Sequence, residues 1–223
     1  MPILNMDKKY YRVYIIESPS AEDILDKRKE GLALSEILSL ANISNVYYNV
    51  SDRNTFAQAF YRIGNDISTS NQDLGSVTIH FSMHGNKDGI ELTSGEFMEW
   101  QELHQNIKSL NDSIGYGEVK WAPGKKYGFA NLSFSVCHGY NAIAMKAYGE
   151  ESPYTTVLGP TRAVNWSDSL IAFATYYHLT IHKDANWREA VVLMNYAAGA
   201  ANEVVFKLQV ADGLFTDQRP SLN

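Results

Sequence analysis

Short runs of β-branched and aromatic residues alternate with helix-periodic stretches along almost the whole chain. That alternation limits the fold more than any single motif does. YRVYIIES (11–18), VYYNV (46–50), SVTIHFSM (76–83), NLSFSVC (131–137), TTVLGP (155–160) and VVFKLQV (204–210) read as six strands. Between the first two, a helix is expected to start at Ser18-Pro19 or Ser20. Glu22 and Asp23 suit its first turn, and Leu32, Ile37, Leu38 and Leu40 form its later stripe. Phe56, Ala59, Phe60 and Ile63 predict a helix over about 54–67 with Gly64 near its end. Trp100, Leu103, Ile107 and Leu110 predict another over about 99–110. A short helix is expected at about 140–148, and one at about 166–180 carrying Leu170, Phe173, Ala174 and Tyr177. A further helix is capped by Asn186, with Glu189 as capping-box partner. Residues 86–98 read as a small hairpin around Asp88-Gly89, and 111–130 as a long loop with room for a ribbon.

Strands separated by helices imply βαβ crossovers. The expected fold is therefore α/β: a three-layer α/β/α sandwich on a mostly parallel six-stranded sheet. No repeat or linker divides 1–223, so the chain reads as one domain. Apolar residues make up 45% of it, enough for a sizeable core. The net charge of -6 argues against nucleic acid or an anionic membrane surface as partners, since both require basic stripes. A single cysteine excludes an intrachain disulfide. With the short apolar run of MPILNMDKKYY, too brief for a signal sequence, it points to a cytoplasmic, reducing setting.

In open parallel sheets the working crevice lies beyond the carboxyl ends of the strands. Two strand ends carry reactive groups. HFSMHG leaves His84 and Gly85 at the exit of the third strand, and SFSVCHG leaves Cys137 at the exit of the fourth. If these strands are neighbours, thiol and imidazole face one cleft. An imidazole beside a thiol accepts its proton during attack on a carbonyl. The backbone N–H groups of Gly85 and Cys137 are candidates for holding the oxyanion, with no side chain on Gly85 to block approach. Taken singly, a lone cysteine is more often a small core residue and a lone histidine an ordinary turn residue. Their shared position at two consecutive strand exits reverses that weighting.

The pair HFSMHG and LSFSVCHG resembles the caspase-like cysteine peptidases, a group that includes metacaspases, separase and the CHAT peptidases. Ser82, His84 and Gly85 match the strand that ends in Ser-x-His-Gly, and Cys137 matches the nucleophile. The histidine precedes the cysteine by 53 residues, near the spacing of about 50 seen in caspases. DGIEL with the Trp100 helix, the stretch VLGPTRAVNWSDSLIAFATYYHL, and NWREAVVLMNYAAG extend the likeness over about residues 11–210. The resemblance implies an endopeptidase with a Cys137–His84 dyad, a protein or peptide substrate and no cofactor. It also implies control by a small-molecule or protein activator and a role as an effector in bacterial (antiviral) defence or regulated death. Only about 17 residues separate Cys137 from the fifth strand, leaving no long linker to be cut in maturation. Ser135 stands where caspases carry Gln and metacaspases Asp, so any specificity acid or amide there is missing. The other reading is a catalytically idle module of the same fold used for protein contacts.

The substrate-binding side rests on Ser135 and on the loop GPTRAVNWSD, with Arg162, Trp166 and Asp168. Arg162 would favour an acidic residue before the cut bond. Asp168 would favour Arg or Lys and is preferred by resemblance to separase-like and CHAT peptidases. A zinc site from His80, His84, Cys137 and His138 is the weaker reading, because zinc clusters usually show tighter pairs. His80 is expected to pack within its strand. Lys120, Lys125 and Lys126 fall on the amino side of the fourth strand and read as solvated surface.

Overall fold

Eight residues rich in valine, isoleucine and tyrosine form β1 (Tyr11–Ser18), and all but Arg12 are buried. Strand β1 lies between β2 (Asn45–Asn49) and β3 (Ser76–Asn86), parallel to both. Strand β3 pairs in parallel with β8 (Ala130–Ser135), which pairs in parallel with β9 (Thr156–Pro160). Antiparallel β10 (Phe206–Val210) closes that edge. The order β10-β9-β8-β3-β1-β2 is the mostly parallel six-stranded path expected. Two short strands, β4 (Gly89–Glu91) and β5 (Phe97–Glu99), extend β3 as a meander at the predicted Asp88-Gly89 hairpin. A ribbon of β6 (Gly117–Glu118) and β7 (Lys126–Tyr127) occupies the long loop. The computed structural model describes residues 11–70, 76–115, 117–118, 126–146, 151–183, 185–200 and 203–211. The N-terminal MPILNMDKKY, Lys120 and Lys125 lie outside them.

Helices cover both faces of the sheet. On one side, α3 (Arg53–Thr69) and α4 (Trp100–Ile114) pack with a 3₁₀ segment, Gly139–Met145. Their Phe56, Phe60, Ile63, Leu103 and Ile107 meet Tyr14, Ile16, Ile79, Phe81 and Phe134. On the other side, α2 (Glu30–Leu40), α5 (Trp166–Tyr177) and α6 (Trp187–Ala197) bring Leu34, Leu38, Phe173 and Met194 onto Val13, Ile15 and Leu158. Successive residues of β1 thus feed opposite cores, as the two-residue repeat of a strand requires. The result is one three-layer α/β/α sandwich.

Three local expectations are corrected. The stretch after β1 is two helices, because α1 (Ala21–Leu25) ends at Asp26 and Lys27 turns into the left-handed region at φ 58° before α2 begins. Helix α5 stops at Tyr177, and a π-helical turn, His178–His182, continues the chain. Asn186 does cap α6, but by accepting from the Arg188 N–H at 2.9 Å, not through a box with Glu189.

Candidate active site at the carboxyl ends of β3 and β8

Each β3 residue pairs with the β8 residue 53 positions further on, from Val77↔Ala130 to Ser82↔Ser135. His84 and Cys137 stand at that same separation, one repeat beyond the last pair. Along β3 the row Thr78, His80, Ser82 leads to His84; along β8 the row Asn131, Ser133, Ser135 leads to Cys137. Both residues line one cavity of about 240 Å³, together with Ser20, Asp23, Arg28, Ser135 and Trp166. Neither is sealed in the interior: Cys137 is partly exposed and the His84 side chain is 40% exposed.

The chain breaks sharply after the thiol. His138 sits in the left-handed region at φ 60°, an uncommon conformation for a residue with a side chain. Its N–H donates to the Arg162 carbonyl at 3.1 Å, and the Gly139 N–H donates back to Val136 at 2.8 Å. Gly139 is needed here, since a Cβ would come within 2.5 Å of the Phe134 Cβ. The turn leaves Cys137 at the strand exit and ties it to the loop after β9. The Cys137 thiol donates to the Val164 carbonyl of that loop, 3.8 Å from Sγ.

His84 is held from two directions. Its Nε2 lies 2.5 Å from Asp23 Oδ2, and the Trp166 ring meets its imidazole edge-on at 5.2 Å between centroids. Trp166 also donates Nε1–H to Asp23 Oδ1 at 3.3 Å. Asp23 is the third residue of α1 and closes a capping box with Ser20. Arg28, brought back by the Lys27 turn, places Nε 3.0 Å from Asp23 Oδ1 and NH2 2.9 Å from Asp26. Burial works against the Asp23 charge, but the bonds from Ser20 and His84 outweigh it and hold the carboxyl below its ordinary 3.8.

The other predicted site residues fall as follows. Ser135 lines the cavity, and its buried Oγ has no hydrogen-bond partner. Gly85 lies in the β3–β4 ladder opposite Ile90. A Cβ there would come within 2.5 Å of the Gly89 carbonyl and of Val136, so packing alone demands glycine. Arg162 and Asp168 line a neighbouring cavity of about 350 Å³, which adjoins the first through Val164 and Asn165. Arg162 pairs there with Glu203 at 3.3 Å. His80 is fully buried behind the site, its Nδ1 3.1 Å from the Tyr177 hydroxyl and its ring edge-on to Phe173. Among the described residues, no group of three His, Cys, Asp or Glu side chains is placed to hold a metal ion. No described helix is long and apolar enough to cross a membrane.

Sequence reading missed Asp23 as part of this site. Its local signal was Ser20-x-x-Asp23 directly after a strand, which also describes an ordinary helix cap. No protein-family model matches the chain, and no curated protein matches it.

Proposed function

We propose that the chain is a cysteine endopeptidase of the caspase-like kind, with Cys137 as nucleophile and His84 as its acid–base partner. The observation that carries this reading is the shared rim: the β3–β8 ladder ends at Ser82↔Ser135, and His84 and Cys137, each two residues further on, line one cavity. His84 takes the Cys137 proton as sulfur attacks the peptide carbonyl carbon. The backbone N–H groups of Cys137 and Gly85 receive the oxyanion. When the C–N bond breaks, His84 returns the proton to the leaving amine, and water then hydrolyses the thioester.

Charge around the cavities supports a preference for cleavage after Arg or Lys. Arg28 and Arg162 are each paired with carboxylates, whereas Glu22 in the first cavity and Asp168 in the second add negative charge. A protein or peptide is the substrate, and a small molecule or protein partner controls the activity in a reducing cell interior.

The test is covalent trapping. Cys137 is the only cysteine in the chain, so a peptidyl electrophile ending in Arg should add one mass increment on the peptide that contains it. Fluorogenic peptides ending in Arg or Lys should be cut, with or without cell extract to supply an activator, and Cys137→Ala should abolish cutting. Turnover of Asp peptides alone defeats the basic preference. Unlabelled, inactive protein in both conditions leaves an idle module and ends the peptidase reading.

A further inference from the structure

Asp23 is the most heavily bonded carboxylate around the cavity. Oδ2 accepts from the Ser20 hydroxyl at 2.7 Å and the Ser20 N–H at 3.2 Å, and faces His84 Nε2 at 2.5 Å. Oδ1 faces Arg28 Nε at 3.0 Å and Trp166 Nε1 at 3.3 Å. Four of these five partners can only donate or are placed to donate, so the carboxylate is ionised and serves as an acceptor. The imidazole contact then has one sense: Nε2 carries a hydrogen and donates it. In the neutral ring the lone pair is left on Nδ1.

We propose that Asp23 is a positioning residue for His84, fixing its tautomer and ring plane and stabilising the imidazolium that forms when Cys137 gives up its proton. The inference rests on the Cys137–His84 reading and extends the pair to a third member supplied by the helix after β1. The Asp23 side chain is 3% exposed and His84 is 40% exposed, so a rigid, buried anion steers a side chain that otherwise has room to turn. Trp166 completes the clamp by touching both members, with Nε1–H on the carboxylate and its ring against the imidazole. That gives Trp166 a role inside the machinery in addition to the substrate contact expected of it. The surrounding bonds also keep the anion in place: Ser20 closes the helix cap, and Arg28 balances the charge. A substrate cation would find Asp23 already fully engaged.

Two measurements test the assignment. The first uses the unaltered chain: ¹⁵N–¹H correlation spectra of the neutral His84 ring, assigned with His84→Gln, should show the Nε2–H tautomer, and an Nδ1–H tautomer overturns the proposal. The second is kinetic. Asp23→Asn keeps the shape but removes the charge, and should lower kcat by roughly 10²- to 10⁴-fold while KM moves by less than about 3-fold. Trp166→Phe keeps the ring against His84 and removes only the indole N–H, and should cost kcat less than about 10-fold. Unchanged kcat in Asp23→Asn, with Cys137→Ala inactive, defeats the positioning role and leaves the dyad standing. Full activity in Cys137→Ala defeats the dyad itself, while the His84 tautomer still reports on Asp23. If Asp23→Asn does not fold, the spectrum of the unaltered protein decides alone.

Discussion

The two faces of β3 and β8 are equally buried and chemically opposite. One face presents Val77, Ile79, Phe81 and Met83 beside Leu132, Phe134 and Val136, packed under α3 and α4. The other presents Thr78, His80 and Ser82 beside Ser133 and Ser135, at no more than 2% exposure, under α2 and α5. Strands buried on both faces normally read as continuous apolar runs. Here the second face keeps a polar row, and that row runs out into His84 and Cys137. It is wired internally: the Ser82 hydroxyl donates to Glu30 at 2.5 Å, and His80 meets the Tyr177 hydroxyl. The apolar face holds the strands in register, and the polar face aims the reactive groups.

That division predicts two kinds of loss. Phe134 stacks on Phe81 at 4.8 Å and meets Trp100 edge-on at 5.6 Å, so Phe134→Ala opens a cavity. Urea denaturation should show a loss of about 3–5 kcal/mol. Ser82→Ala removes no bulk. It takes the hydroxyl from Glu30 Oε2 while Oε1 already has no partner, leaving a buried carboxylate without a hydrogen bond. The expected loss is about 1.5–3 kcal/mol. A Ser82→Ala cost equal to that of Phe134→Ala would erase the distinction between a face that packs and a face that wires.

Acid sharpens the comparison at the polar rim, where two carboxylates near the end of β1 are shifted in opposite senses. Burial, partly offset by the Tyr47 hydroxyl and the Gly31 N–H, raises Glu17 above its ordinary 4.5. Its contribution is therefore complete below that value and declines as pH rises through the folded-state value. Asp23 is held below 3.8, so its contribution is complete above that value and is lost as pH falls through the lower folded-state value. As pH falls below about pH 4, the stability gap between the unaltered chain and Asp23→Asn should shrink, because the carboxyl itself is then taking up its proton. A gap that goes on widening below about pH 4 contradicts the sign.

The sheet and the candidate site at its rim were legible because both follow from local pattern. Each strand is a short run with its own flanking breakers, and the 53-residue separation of His84 and Cys137 is already the β3–β8 register offset. The βαβ alternation already implied helices on both faces, whereas the polar row on one buried face of SVTIHFSM and NLSFSVC is clear only from the packing. Asp23 was illegible as a site residue because its partners are 61 and 143 residues away, and no periodicity encodes such contacts. The break at Lys27 was hidden because a left-handed turn usually advertises itself with glycine or asparagine. Arg162 and Asp168, read from the sequence as substrate contacts, line a second cavity beside the one that holds His84 and Cys137. Their separate cavity depends on the path of residues 161–165, which the His138–Arg162 backbone bond fixes from across the fold.

The smallest expected effect concerns that second cavity. Arg162 and Glu203 form an exposed pair, with side chains 53% and 63% exposed, and such pairs contribute little to stability in water. Arg162→Ala should change the unfolding free energy by no more than about 0.5 kcal/mol. Its backbone carbonyl, which receives the His138 N–H beside Cys137, survives the substitution. The turn that presents the thiol therefore stays intact, and labelling of Cys137 by a small alkylating agent should keep its rate within about 2-fold. What should move is choice among peptides. Removing the cation leaves Asp168 as the charged side chain lining that cavity, so kcat/KM for substrates with a basic residue near the cut should rise, by up to roughly 10-fold at low salt, and fall back as salt is added. An equal change for acidic and basic peptides would mean that the second cavity plays no part in reading charge, and would leave selection to the cavity that holds Glu22 and Cys137.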